Sequence, residues 1–183
     1  MNAAVLCPGP SLASFPGRQG FDLVVAVNRA VNVHGADYLV ALDDVTFGLC
    51  EFRNGSRPTL VSPASIHERT VEAHEAARHL PLLELDRTWM SDRNRTMRWW
   101  SKGLTVALVL AWVKGADAIR CFGVDWAGEA DFDGYHAAHQ RRDARRWAAE
   151  RELCAAVVRS LADRNVVVCG LPAAPRAKEA LPR

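Results

Sequence analysis

No stretch of the 183-residue chain approaches the ~18 consecutive apolar residues that a membrane-spanning helix needs. The opening MNAAVLCPGP lacks a basic region, and its apolar run is too short for a secretory signal. Charge of one sign is missing as well. The 23 basic and 21 acidic residues leave a net charge of +2, which excludes a strongly polycationic nucleic-acid binder and an acidic disordered tail. The five cysteines are odd in number and contain no C-x-x-C pair, so neither a zinc knuckle nor a disulfide framework is expected. Cys7, Cys121 and Cys169 fall in apolar runs and read as small buried residues in a reducing, cytoplasmic compartment. Lysine is scarce, 3 residues against 20 arginines; genome base composition suffices to cause that bias. The dinucleotide fingerprint G-x-G-x-x-G is absent, which argues against NAD binding. Lys102-Gly103-Leu104-Thr105 has the wrong order for a P-loop and lacks its upstream glycine.

What is present is an ordinary globular balance, 49% hydrophobic and 24% charged. The length predicts one domain able to bury a core without staples. Short apolar runs at 3–7, 22–27, 37–42, 59–62, 82–85, 118–123 and 166–169 read as strands, several nearly continuous in Val, Leu, Ile and Ala. Helical patterns lie between them. Residues 65–79 open with Ser65 and Glu68 spaced as a capping box. Residues 104–114 carry Leu104, Ala107, Leu108, Ala111 and Trp112 on one face, with Gly115 as the stop. Residues 141–164 carry Leu153, Val157 and Leu161 at helical spacing. This β-α alternation predicts an α/β fold. Residues 1–170 form a single Rossmann-like domain, a mostly parallel sheet of about six to seven strands with helices on both faces. Residues 171–183 read as a loosely ordered tail.

In such sheets ligands bind beyond the carboxyl ends of the strands, so the residues just after each strand are the informative ones. In Pro8-Gly9-Pro10-Ser11, Gly9 admits close backbone approach, and Ser11 can cap a helix whose amides favour an anion. A tight turn with no ligand fits the same residues, since each proline removes a donor. Asn28 suits a base edge or ribose, or a helix cap. Asp43-Asp44 and Asp131-Phe132-Asp133 are candidate metal or ribose carboxylates; a cap and solvated loop residues are the alternatives. Tyr135, His136 and His139 are candidate proton-transfer groups, whereas His67, His74 and His79 read as solvated. The arginine block from Arg141 to Arg146 fits phosphate or an acidic acceptor, or a solvated helix face. Trp99-Trp100 reads as core roofing, or as a stacking surface or a contact in a homo-oligomer.

Gly9-Pro10-Ser11-Leu12 resembles the G-P-S-L motif of the bacterial sialyltransferases of glycosyltransferase family 42, and is similar to the related DUF115 (MptE-like) superfamily of bacterial and phage proteins. Val27-Asn28 resembles the strand-end asparagine that contacts nucleotide in those enzymes. The stretch from Gly103-Leu104-Thr105 through Gly115 to Gly123-Val124-Asp125-Trp126 looks like their helix, glycine, strand and G-[IVFY]-D-[FYM] ending. His139, or else His136, falls where they carry the catalytic base. Pro8 stands where they have an asparagine.

The resemblance implies a glycosyltransferase-like enzyme using a nucleotide-activated sugar, with a CMP-sugar favoured. Gly9, Pro10, Ser11, Asn28, Asp43, Ser101, Gly103 and Asp125 would hold the nucleotide. His139 or His136 would deprotonate an acceptor hydroxyl, and Tyr135 or Arg141 would steady the departing phosphate. The acceptor is left open. No metal is expected under this reading. Two alternatives stand beside it: a Mg2+-dependent diphosphotransferase of the MptE type, using Asp43, Asp44 or Asp125, and a non-catalytic nucleotide-binding module.

Overall fold

The central apolar runs form strands because every side chain in them has a layer to pack against. In the computed structural model, which describes residues 1–52, 56–84, 102–128, 130–135 and 143–172, β1 (Asn2–Leu6) and β2 (Leu23–Val27) are buried on both faces after Asn2. β3 (Tyr38–Val40), β4 (Thr59–Ser62), β5 (Leu82–Glu84), β6 (Ala118–Phe122) and β7 (Val167–Cys169) complete the sheet. Among the described residues it has seven strands in the order β5-β4-β3-β2-β1-β6-β7, all parallel. Val5 of β1 pairs with Val25 of β2 on one side and Cys121 of β6 on the other. The edge strands β5 and β7 alternate between exposed and half-buried positions. Cys169 therefore lies exposed on β7, not buried as its apolar run suggested.

One face of the sheet, with Ala3, Val5, Cys7, Val25 and Val27, packs on α3 (Gly103–Val113) and α4 (Ala144–Ala162). The other face, with Ala4, Leu6, Val24, Ala26 and Leu39, is covered mainly by short pieces. These are two 3-10 turns (Pro10–Ser14 and Asn28–Asn32), α1 (Asp44–Phe47) and a 3-10 turn at Glu75–His79, which supply Leu12, Phe15, Val31, Phe47 and Ala77.

The helices depart from expectation where tertiary contacts intervene. α2 (Ala64–Ala73) is entered through Pro63 and has no side-chain cap, so Ser65 does not cap it. The pattern then breaks at His74, whose ring presses on Gly48 and Phe47 and lies 3.2 Å from the Asp44 carbonyl. His74 is thus half-buried rather than solvated. α3 is buried nearly all round, between the sheet and α4, with Thr105, Val106 and Leu110 inside and Trp112 partly exposed. Gly115 does end it, with φ +94°. The Gly115 amide bonds the Trp112 carbonyl, and that of Ala116 the Ala111 carbonyl, as in a Schellman turn. α4 starts at Ala144, where Asp143 accepts from the Arg146 amide at 2.8 Å. Among the described residues no helix is long and apolar enough to cross a membrane. Of the expected tail, residues 173–183 lie outside the described residues.

The chain adds β2 to β5 outward from one side of β1, then returns to place β6 on the other side. The crevice beyond the carboxyl ends of β1 and β6 is the topological switch point, where open α/β sheets bind ligands.

Candidate functional site

A cleft of about 190 Å³ occupies that switch point. Its walls come from the turn after β1 (Cys7 to Pro10), Asn28 after β2, Asp43 after β3 and Gly123 to Ala127 after β6. Lys102 and Gly103 at the start of α3, and Arg146, Trp147 and Glu150 on the first turns of α4, close the opposite side. Six of the eight candidate nucleotide-binding residues meet here: Gly9, Pro10, Asn28, Asp43, Gly103 and Asp125. Ser11 adjoins them through its amide, which donates to Asp125 Oδ2 at 3.0 Å. Ser101, Arg141, His136 and His139 lie outside the described residues, as do Trp99 and Trp100.

The turn after β1 is held by the turn after β6. The Gly9 amide donates to the Gly123 carbonyl at 3.0 Å. A Cβ on Gly9 would collide with the Asp125 carboxylate and the Gly123 carbonyl, and one on Gly123 (φ +72°) with the Cys7 carbonyl. Both glycines are required because the two loops touch each other. The amide supply is also accounted for. Pro10 has none, Ser11 gives its own to Asp125, and Leu12 gives its own to the Gly9 carbonyl. Ser11 caps no helix; the carboxylate of Asp125 caps the turn that contains it. Gly103 has a third reason of the same kind, since a Cβ there would strike Val27 Cγ1.

Asn28 is the first residue of its 3-10 turn rather than its cap, and it adopts φ +51°. Asp43 caps α1 by accepting from the Thr46 amide at 2.6 Å, and it lines the cleft as well. Asp44 is in the first turn of α1, outside the cleft lining.

Arg29, next to Asn28, explains the D-x-D sequence. Its side chain is only 11% exposed. Nη1 donates to Asp131 Oδ2 at 3.2 Å and to Asp133 Oδ1 at 3.1 Å, and Nη2 pairs with Asp133 Oδ2. Tyr135 stacks on the guanidinium with its ring centre 4.2 Å away, and Phe132 lies at 5.9 Å. The Asp131 amide donates to the Tyr135 carbonyl, and the Phe132 amide to that of Pro8. The two aspartates are therefore the counter-charge of a buried arginine, which does not leave them as an open metal pair. Burial raises the Asp133 carboxyl, but the Arg29 hydrogen bond, the Tyr135 amide and the Arg29 charge outweigh it and hold it below the ordinary carboxylate range. Among the described residues no three His, Cys, Asp or Glu side chains gather as a metal cluster. Cys7, at the cleft floor, has its thiol pushed well up by burial and by the neighbouring Cys121, Cys154 and acidic groups.

The opposite wall carries two cations, Arg146 from the arginine block read as a phosphate contact and Lys102, which had no such reading. Glu150 Oε1 takes the Lys102 ammonium at 3.2 Å and Arg146 Nε at 3.0 Å. The i,i+4 spacing of Arg146 and Glu150 was a signal for that pair. Lys102 was visible only as a failed P-loop. Arg29 had a clearer sign, a charge set between the apolar strand Leu23–Val27 and Ala30-Val31, which must find an opposite charge. The cleft lining thus carries the carboxylates Asp43, Asp125 and Asp131, and the cations Lys102 and Arg146 gathered on Glu150.

No protein-family model matches the chain, and no curated protein matches it. Among solved structures, thiamine pyrophosphokinase from Bacillus subtilis is similar to it with a TM-score of 0.38 and 14% identity. The likeness covers 87% of this chain, which spans 57% of the length of that protein.

Proposed function

We propose that the chain is a glycosyltransferase-like enzyme whose cleft takes a nucleotide-activated sugar, with a CMP-sugar as the favoured donor. The observation that carries this reading is the convergence of Gly9, Pro10, Asn28, Asp43, Gly103 and Asp125, from five separate stretches of sequence, on one cleft at the β1/β6 switch point. All of these positions except Asp43 lie in the motifs that resemble the family 42 sialyltransferases and the DUF115 superfamily. The polarity of the cleft supports the same reading. Carboxylates suit hydroxyl or amino groups of a sugar or base, and cations suit phosphate.

In the transfer step His139, with His136 as alternate, takes the proton of an acceptor hydroxyl. The acceptor oxygen bonds to the anomeric carbon, the bond from that carbon to the phosphate oxygen breaks, and CMP leaves with the electron pair. Tyr135 or Arg141 steadies the departing phosphate. General-base catalysis of this kind contributes on the order of 10²–10⁴-fold.

A thermal-shift panel of CMP, CDP, UDP, GDP, ADP and ATP, each with Mg2+ or EDTA, tests the reading. A ligand at ~100 times its Kd adds roughly 2.7 kcal/mol, a rise of roughly 5–11 °C for a chain of this size. A metal-independent response to CMP or CDP supports it. The next step is a donor screen in which His139→Ala or His136→Ala must abolish transfer. A response to ATP that needs Mg2+ supports the diphosphotransferase instead. Nucleotide affinity without any donor turnover supports a binding module.

A further inference from the structure

We infer that Lys102 is the phosphate-binding side chain of the cleft, and that it reaches the phosphate by leaving Glu150. The inference rests on the nucleotide reading above and adds which group takes the charged end of the ligand.

The turn after β1 is poorly placed for that task. Its amides at Gly9, Ser11 and Leu12 already donate within the protein, and Pro10 has none. Asp125 and Asp43 also line that side, so a phosphate there would face like charge. Arg29 does not itself line the cleft and is committed to Asp131 and Asp133. The cations that do line the cleft are Lys102 and Arg146, and they share one carboxylate oxygen of Glu150.

That sharing is what allows an exchange. Glu150 is only 17% exposed, and a carboxylate so placed resists losing its counter-charge. When Lys102 departs, Arg146 remains on the same oxygen, one helical turn away and fixed by the α4 N-cap. Glu150 therefore keeps a cation. Lys102 is the partner suited to move, since its side chain is 33% exposed and its ammonium sits on a flexible four-carbon stem. Its backbone does not move with it, because Gly103 is pressed against Val27. A phosphate bearing up to two charges is a stronger partner for the ammonium than a carboxylate already shared. The ligand consequently lies with its phosphate toward α3 and α4 and its hydroxyl- or amine-bearing end toward Asp43 and Asp125.

Titration calorimetry of CMP and of cytidine, with the wild type, Lys102→Gln and Glu150→Gln, tests this. Lys102→Gln is expected to weaken CMP on the order of 10- to 100-fold, the effect of losing one charged hydrogen bond, and to leave cytidine within ~2-fold. Glu150→Gln is expected to bind CMP at least as tightly as the wild type, because no ion pair must open. The inference is overturned if Lys102→Gln binds CMP like the wild type, if it loses CMP and cytidine equally, or if Glu150→Gln binds CMP more weakly. Those results leave the nucleotide reading intact. A wild type that binds no nucleotide removes that reading, and this inference with it.

Discussion

Replacing Arg29 by methionine should cost about 3–5 kcal/mol of folding stability, the range for removing one partner of a buried ion pair. Asp131 dominates that cost. Its side chain is 5% exposed and lies 3.2 Å from the guanidinium, so removing Arg29 takes a contacting positive charge from a buried carboxylate. Asp133 is 35% exposed and can recover hydration. Methionine keeps much of the aliphatic stem against Phe132 and Tyr135, so lost packing adds little. At roughly 2–4 °C per kcal/mol, Tm should fall by roughly 6–20 °C. Urea unfolding followed by far-ultraviolet circular dichroism at pH 7 measures the free energy. Adding Asp131→Asn, which removes that buried charge, should recover at least about half of the loss, a coupling expected of contacting residues. A loss below ~1 kcal/mol, the scale of a surface pair, would refute the reasoning. So would a double variant equal to the sum of the single ones.

The same variant carries a pH signature. The folded Asp133 carboxyl titrates below its ordinary value. Its contribution is therefore fully present above the unfolded value near 3.9 and is lost as pH falls through the folded one. Wild-type stability should drop in that acid window, and Arg29→Met should drop less steeply. Equal slopes would mean that Arg29 does not set the Asp133 titration.

Three further outcomes follow from the geometry. Gly123→Ala must place a Cβ against the Cys7 carbonyl at φ +72°, so thermal unfolding should show a loss above ~3 kcal/mol; Gly128→Ala, at φ +73° with nothing within 4 Å, should lose only the ~1–2 kcal/mol of a left-handed backbone. Burial lowers the His34 imidazole, which packs edge-on against Phe15, so the unfolded chain takes the proton first and stability is lost as pH falls below ~6.5; His34→Gln should flatten that slope in urea titrations, and an unchanged slope would count against it. A thiol reagent at pH 8 should label Cys169 promptly, while Cys7, Cys121 and Cys154 stay buried with raised thiols and Cys50 is pushed up to about 12; two fast-reacting thiols in the folded protein would contradict this.

The strands were the legible part of the fold. Parallel strands buried on both faces must be apolar at every position, so LVVAV at β2 or AIRCF at β6 stands out without any alignment. Strand order was not legible, because pairings such as Ala4 with Arg120 join residues more than a hundred positions apart. The break at His74 was hidden for a similar reason, since the ring packs against Gly48 at the C-cap of α1, well before it in the chain. Local rules also missed what the fold asks of Gly9, which lines the cleft and is packed against a distant loop as well. Gly9 looked like a place for a ligand to approach, and its neighbour proves to be Asp125, 114 residues beyond Ser11's side of the turn. The carboxylates were visible as residue types, but only the fold could divide them. Asp131 and Asp133 pair with Arg29, and Asp131 also lines the cleft, whereas Asp43 caps α1 and Asp125 holds the Ser11 amide within that lining.

Backbone strain supplies a separate line of support for the cleft. Three non-glycine residues have positive φ among those described, and two of them, Asn28 (+51°) and Trp126 (+46°), line it. Asparagine tolerates that region; the third, Asn165, is an ordinary helix terminator whose amide bonds the Ala162 carbonyl. Tryptophan does not tolerate it, at a cost of about 1–3 kcal/mol. Trp126 persists there because its surroundings fix it: it is 8% exposed, its carbonyl accepts from Arg151 at 2.9 Å, and the preceding Asp125 is held by the Ser11 amide. A packing role alone could be met by a glycine-tolerant turn with the aromatic ring supplied from elsewhere. What the strained turn achieves is to set Asp125 and Trp126 together in the cleft lining, with the indole packed in the core that α3 and α4 cover. Trp126→Gly should therefore relieve the backbone while weakening CMP binding, two effects that a purely structural tryptophan would not separate.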